Sequence, residues 1–269
     1  MTSEIERVFK LEGVNNFRDF GGWRAAEGTR VVTGQLFRCA HLHHATNTDI
    51  AHIGSLGIAT VTDLRRPGER QAQPSAWIGK LSLKLIEEPA EDRMSRIRDD
   101  AEPPHLHAFR ASDRNLAAMR EFLAAHYAEM PFDVRHVALF RRYFEALARG
   151  DGAILIHCAA GKDRTGILAW LTHRLLGVHP DDAMEDFLLS NSAGDIADRL
   201  PQARRFMEKV CGASITDEAI GALLSVEPNY IQRCEAALVA RSSSVDGYLA
   251  DVLAVDAVQR DRIRTELLA

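Results

Sequence analysis

The stretch Ile156-His157-Cys158-Ala159-Ala160-Gly161-Lys162-Asp163-Arg164-Thr165-Gly166 decides how this chain is read. Ahead of it, Ala153 to Ile156 is a short apolar run of the kind a buried strand makes. Behind it, Ile167 to Leu176 is mostly apolar and long enough for a buried helix. Cys158 therefore falls at a strand-to-helix turn, at the carboxyl end of the strand, where α/β sheets hold their ligands.

Such a turn curls its backbone N–H groups around one concavity, and the helix behind adds the positive end of its dipole. Gly161 supplies backbone angles closed to other residues, which lets the loop close on an anion. Arg164, six residues after Cys158, starts the helix and can return a planar fork that grips a tetrahedral oxyanion. The same field favours the thiolate of Cys158, and a thiolate beneath a cradled phosphate is a nucleophile aimed at phosphorus. Cys158 would carry a cysteinyl-phosphate, while Arg164 and the amides of Ala159, Ala160, Gly161 and Lys162 hold the oxygens. The Thr165 hydroxyl can donate to the sulfur and make it a better leaving group. His157 fixes the cysteine backbone and tunes the thiol, and need not shuttle a proton.

His-Cys-x5-Arg-Thr-Gly resembles the signature of the cysteine-dependent protein tyrosine phosphatase superfamily. The fuller form here resembles an atypical bacterial branch whose members include a secreted mycobacterial tyrosine and lipid phosphatase. Asn16 to Gly22, Leu36-Phe37-Arg38, Asp63-Leu64-Arg65 and Asp186 to Asn191 look like that branch's other motifs, in its order. The resemblance implies an α/β fold with a central, mostly parallel sheet flanked by helices. It also implies a segment Asn16 to Asp19 near the site and a helical insertion that could serve as a lid.

Other readings of the loop compete. A nucleotide-binding loop needs Ser or Thr after the lysine and a glycine five residues before the Gly-Lys pair. Asp163 and Ile156 occupy those positions. A rhodanese-like sulfur carrier does not require the Arg-Thr-Gly ending. A catalytically idle phosphate-binding module is the alternative from another class, and loss of cysteine, arginine or threonine would have been its mark.

Composition sets the limits. The 269 residues suffice for a substantial core. A net charge of −5 argues against general nucleic-acid binding and polybasic membrane attachment. No apolar run approaches the roughly 18 residues of a span, and the charged start lacks a secretory core. Cys39, Cys158, Cys211 and Cys234 lack disulfide or zinc spacing, which fits a reduced cytoplasm. Secretion by a non-classical route stays open.

Taken in order, Arg18 and Asp19 read as ties between loops, and Thr29 to Arg38 as a hairpin turning at Thr33-Gly34. His41, His43 and His44 lack a second ligand cluster, so they read as solvated or capping groups rather than metal ligands. Thr46 or Asn47 can cap a helix through Leu56. Ile58 to Arg65 reads as a strand that Pro67-Gly68 closes. Residues 87–131 read as a helical insertion, opening on a charged run and holding a helix with Leu116, Met119, Leu123 and Tyr127 on one stripe. That helix is either the lid or a packed helix. Phe132 to Arg149 gives another, and nearly everything after Asp181 reads helical. The expectation is a single domain over 1–269.

The proton donor stays open between two carboxylates. No Trp-Pro-Asp loop exists, since Trp23, Trp77 and Trp170 precede Arg24, Ile78 and Leu171. Asp163 lies in the loop, where an approaching dianion favours its protonated, donating form. Asp63 lies at a neighbouring strand end, although it could merely pair with Arg65 or Arg66. Lys162 adds a cation beside the nucleophile, as in phosphoinositide phosphatases of the superfamily. The expected substrates are a phosphorylated protein, on tyrosine or also on serine and threonine, or a phosphoinositide. No metal or cofactor is required, because Arg164 and the amides supply the positive charge.

Overall fold

The computed structural model describes residues 7–89, 116–212 and 214–269. Five strands form one sheet: β1 (Arg18–Asp19), β2 (Leu36–Cys39), β3 (Ile58–Asp63), β4 (Lys84–Ile86) and β5 (Ala153–His157). Their spatial order is β1-β2-β5-β3-β4, with β1 antiparallel to β2 and every other pairing parallel. The strand ahead of Cys158 is thus the central one. Its side chains alternate as a doubly covered strand must: Ala153 and Leu155 join one core cluster, Ile154 and Ile156 the other.

One face is covered by α1 (Asn47–Ser55), where the Thr46 hydroxyl and Asp49 form a capping box, and by Trp77. Between the strands lies α2 (Pro67–Ala72). The other face carries α3 (Leu116–Glu129), α4 (Val134–Arg149) and α5 (Arg164–Leu175), then α6 (Pro180–Leu188), α7 (Ile196–Cys211), α8 (Asp217–Leu224), α9 (Pro228–Ser242) and α10 (Ala257–Leu267). In α5 all residues except Arg164 and Arg174 are buried, Trp170 the largest, each large apolar side chain contributing roughly 1.5–3 kcal/mol. Among the described residues no helix is long and apolar enough to cross a membrane.

Two local expectations change. Thr29 to Arg38 is not a hairpin: Val31 bridges Leu268, Arg30 bridges Arg24, and β2 takes β1 as its antiparallel partner. Gly34 does turn the chain, at φ +76°, but the arm before it pairs with the C-terminus, a long-range contact that local alternation cannot reveal. Pro67-Gly68 does not merely end a strand; Pro67 begins α2, as a proline at a first helical position can. The expected insertion is half described. Residues 90–115 lie outside the described residues. Of the expected stripe in α3, Met119, Leu123 and Tyr127 are buried and Leu116 is half-buried.

A buried charge network ties the front of the chain to α6. Asp186 receives Arg18 Nε at 3.1 Å and Arg38 Nη1 at 2.7 Å, and all three side chains are almost wholly inaccessible. Burial alone would raise the Asp186 pKa, but the two guanidinium groups hold it far below the usual carboxylate range. Asp186→Ala strands two buried cations. We expect a loss of about 3–5 kcal/mol in urea-unfolding free energy, whereas Glu185→Ala, at an exposed position of the same helix, should change it by less than about 0.5 kcal/mol.

Candidate active site

Parallel register brings three strand ends together: Cys39 and Asp63 lie beside His157 on either side of β5. Cys158 follows at once and is buried. The loop from Cys158 to Asp163 then closes into α5.

The loop is held from behind through its carbonyls. Ala159 O accepts from the His41 amide at 3.0 Å. Gly161 O accepts from Asn16 Nδ2 at 2.9 Å and from Arg38 Nη2 at 3.1 Å, and Ala160 O accepts from Asn16 Nδ2 at 3.4 Å. Among the described residues, the amide N–H groups of Ala159, Ala160, Gly161, Lys162 and Asp163 donate to no protein acceptor. With the carbonyls tied at the back, these donors are left for the front, as an anion-binding nest requires. Gly161 has φ +69°, and a Cβ there would lie 2.3 Å from the Cys39 carbonyl oxygen. Gly166 is less tightly constrained: a Cβ would meet the Phe187 ring at 2.9 Å.

Arg164 is clamped by a residue that sequence reasoning missed. Its Nη1 donates to Glu69 Oε2 at 2.7 Å and to Leu64 O at 3.1 Å, and its Nη2 to Glu69 Oε1 at 2.8 Å. Among the described residues three of its five N–H donors find acceptors, leaving Nε–H and one Nη2–H along one edge of the fork. Burial alone would raise the Glu69 pKa, but Arg164 holds it down at about 2, and Glu69 in turn raises the Arg164 pKa against its own desolvation. The visible signal was Arg66-Pro67-Gly68-Glu69, a helix start with an acid at its third position.

The two candidate acids differ sharply. Asp63 is buried, and Arg65 binds both of its oxygens, with Nη2 at 2.7 Å from Oδ2; His157 Nε2 lies 3.5 Å away. Although burial pushes the Asp63 pKa up, His157 and Arg65 pull it below the usual range. A carboxylate so held favours its ionised form. Asp163 is one-third exposed and receives the Tyr127 hydroxyl at 2.6 Å. It does not cap the helix it precedes.

Of the remaining predicted residues, His157 is buried and its pKa is lowered by desolvation. Its Nδ1 lies 3.4 Å from its neighbour's carbonyl at Cys158. Thr165 is fully buried, and its hydroxyl has no partner among the described residues. Lys162 departs from expectation: Nζ donates to Leu223 O at 2.6 Å and Ser225 O at 3.1 Å, at the end of α8. Its ammonium is thus engaged by backbone rather than offered to a second anionic group. The neighbouring histidines pack ring to ring, with centroids of His43 and His44 at 4.7 Å. No group of three or more potential ligands able to hold a metal occurs among the described residues. Arg18 and Asp19 are ties, as expected. Asp19 accepts from the amides of Gly21 and Gly34 at 2.7 and 2.6 Å.

The arrangement groups loop amides and one edge of Arg164 around a buried thiol. The model of the tyrosine phosphatase family matches residues 9–269. A protein of Cupriavidus necator that carries the name tyrosine-protein phosphatase is 32% identical over 249 residues, 93% of this chain and 85% of its own length. The triple specificity protein phosphatase PtpB of Mycobacterium tuberculosis is 27% identical over 272 residues, covering 91% and 93%. A tyrosine-protein phosphatase of Nostoc commune is 44% identical over 170 residues, 62% of this chain and 51% of its own length.

Two outcomes follow from the geometry. Gly161→Ala should lower kcat/KM for an aryl phosphate on the order of a hundredfold, since a Cβ displaces the loop by about an ångström. Glu69→Gln should be less stable than wild type above pH 4.5, with the difference vanishing as pH falls toward 2. Glu69 has a depressed pKa, so its contribution is present above the unfolded value and lost on protonation. Urea unfolding of both proteins at pH 6, 4 and 2.5 checks this.

Proposed function

We propose that this chain, which belongs to the tyrosine phosphatase family and is a protein-tyrosine phosphatase, works through a cysteinyl-phosphate on Cys158. We place it in the branch marked by His157-Cys158-Ala159-Ala160-Gly161-Lys162-Asp163-Arg164-Thr165-Gly166 and read residues 1–269 as one phosphatase domain. Contacts between distant segments support the second point. Arg264 Nε donates to Leu175 O at 3.0 Å, and Val31 bridges Leu268.

The observation that carries the mechanism is the set of free loop amides beside the open edge of Arg164. These donors hold the three non-bridging oxygens and neutralise the charge that spreads over them in the transition state. The Cys158 thiolate attacks phosphorus in line. As the P–O bond breaks, Asp163 gives its proton to the leaving oxygen. Asp163 then takes a proton from the water that attacks the cysteinyl-phosphate, and the S–P electron pair returns to sulfur. The orphaned Thr165 hydroxyl is the donor we assign to that sulfur. Asp63 and His157 hold the floor of the site.

For the substrate we favour phosphotyrosine on a protein. Phosphoserine, phosphothreonine and phosphoinositides are the further candidates, and one relative is named a triple specificity protein phosphatase. The engagement of Lys162 Nζ by two carbonyls removes the local argument for a second phosphate.

The test is hydrolysis of p-nitrophenyl phosphate in the presence of a chelator. Wild type should turn over. Cys158→Ser should lose at least about 10⁴-fold, in line with loss of a nucleophile, yet still bind vanadate. Activity retained in Cys158→Ser would refute the nucleophile, and a wild type that binds vanadate without turnover would make the chain a phosphate-binding module.

A further inference from the structure

Tyr127 lies outside every motif that marked the site, yet it makes the closest contact with the acid. Its hydroxyl donates to Asp163 Oδ1 at 2.6 Å. Lys162 Nζ approaches the same oxygen, at 3.7 Å. Oδ2 has no hydrogen-bond partner among the described residues, on a side chain one-third exposed. The carboxylate is therefore asymmetric, with one oxygen fixed and one available. An aspartate just before a helix ordinarily turns its oxygens onto the helix amides, and this one does not.

The phenol is itself immobilised. The Tyr127 ring is buried, tilted against Tyr230 at 5.1 Å and edge-on to Phe187 at 6.0 Å. Phe187 is the ring that meets Gly166 at the start of α5, so one aromatic slot sets both the helix behind the nucleophile and the phenol. Burial, then Asp163, pushes the Tyr127 pKa well above its ordinary value, so the hydroxyl remains a donor at any working pH.

We propose that Tyr127 is the positioning residue of the proton donor: its hydroxyl fixes Asp163 Oδ1 and so aims Oδ2, which carries the proton, at the leaving oxygen. This rests on the reading of Asp163 as the acid. The groups that face Asp163 are His126 and Tyr127 of α3, Tyr230 of α9, and Lys162 and Arg164 beside it. His126 has a pKa lowered by burial and is neutral near pH 7, so it does not itself titrate on the alkaline side.

The experiment compares two aryl phosphates in wild type, Tyr127→Phe, Asp163→Asn and the double variant. Phenyl phosphate needs its leaving oxygen protonated, whereas 2,4-dinitrophenyl phosphate leaves without help. Tyr127→Phe keeps the ring and its packing. Its kcat/KM should fall on the order of tenfold with phenyl phosphate, the value of one hydrogen bond to a charged group, and less than about twofold with the dinitrophenyl ester. The alkaline limb of its rate profile should move to higher pH, because the ionised carboxylate loses a donor. In the Asp163→Asn background the Tyr127 change should add nothing. Equal losses on both esters, with an unmoved pH profile, would make Tyr127 a structural tie and overturn the proposal. If Asp163→Asn itself fails to discriminate the esters, the acid assignment falls and takes the proposal with it, while Cys158→Ser still reports separately on the nucleophile.

Discussion

Asp186 between Arg18 and Arg38 is the contact on which the site's shape depends. One arginine belongs to β1, the other to β2, and the aspartate to α6, so three distant segments meet at one carboxylate. Arg38 then reaches with Nη2 to the Gly161 carbonyl, and Arg18 binds Asn16, whose amide nitrogen supports the same carbonyl. Buried ion pairs are a weak source of stability, because desolvation opposes the attraction. Their use here is orientation. The network fixes the carbonyl side of the loop and thereby the amide side as well.

The strand–loop–helix around Cys158 was legible because its residue types have few other uses in that order. The C-terminal helices were legible from three-and-four periodicity, and α7, α8, α9 and α10 all fall in the stretch after Asp181 that reads helical. Asp186 and Arg38 were visible as motif members, but their roles were not, since their partnership spans 148 residues. Glu69 carried only a helix-start signal, and nothing local joins it to Arg164. The two aspartates show the same limit. Sequence offered Asp63 and Asp163 as equals in kind, and only the Arg65 fork and the one-third exposure of Asp163 separate them.

Lys162 illustrates a different failure. A lysine in an anion-binding loop invites an electrostatic reading, but the end of α8 presents unpaired carbonyls and the negative end of a helix dipole within reach. Those acceptors are local and fixed, whereas a second substrate anion is neither. The lysine therefore joins the loop to a helix that follows it by some sixty residues. The part of the chain after the signature is in this way connected to the chemistry.

Glu69 also explains why the loop needs an arginine at 164. Three N–H groups are satisfied by Glu69 and Leu64 before any substrate arrives, and the remaining two point along one edge as a ready fork. An ammonium has only three donors, and the same partners would exhaust them. A lysine here would keep the charge and lose the hydrogen bonds to phosphate. Because the guanidinium is oriented when the chain folds, its ordering does not have to be repeated with each substrate. Asp163, the acid we propose, takes its hydrogen bond among the described residues from the Tyr127 hydroxyl rather than from a guanidinium. That difference suits a group that must exchange its proton in every turnover, whereas Arg164 must keep its own.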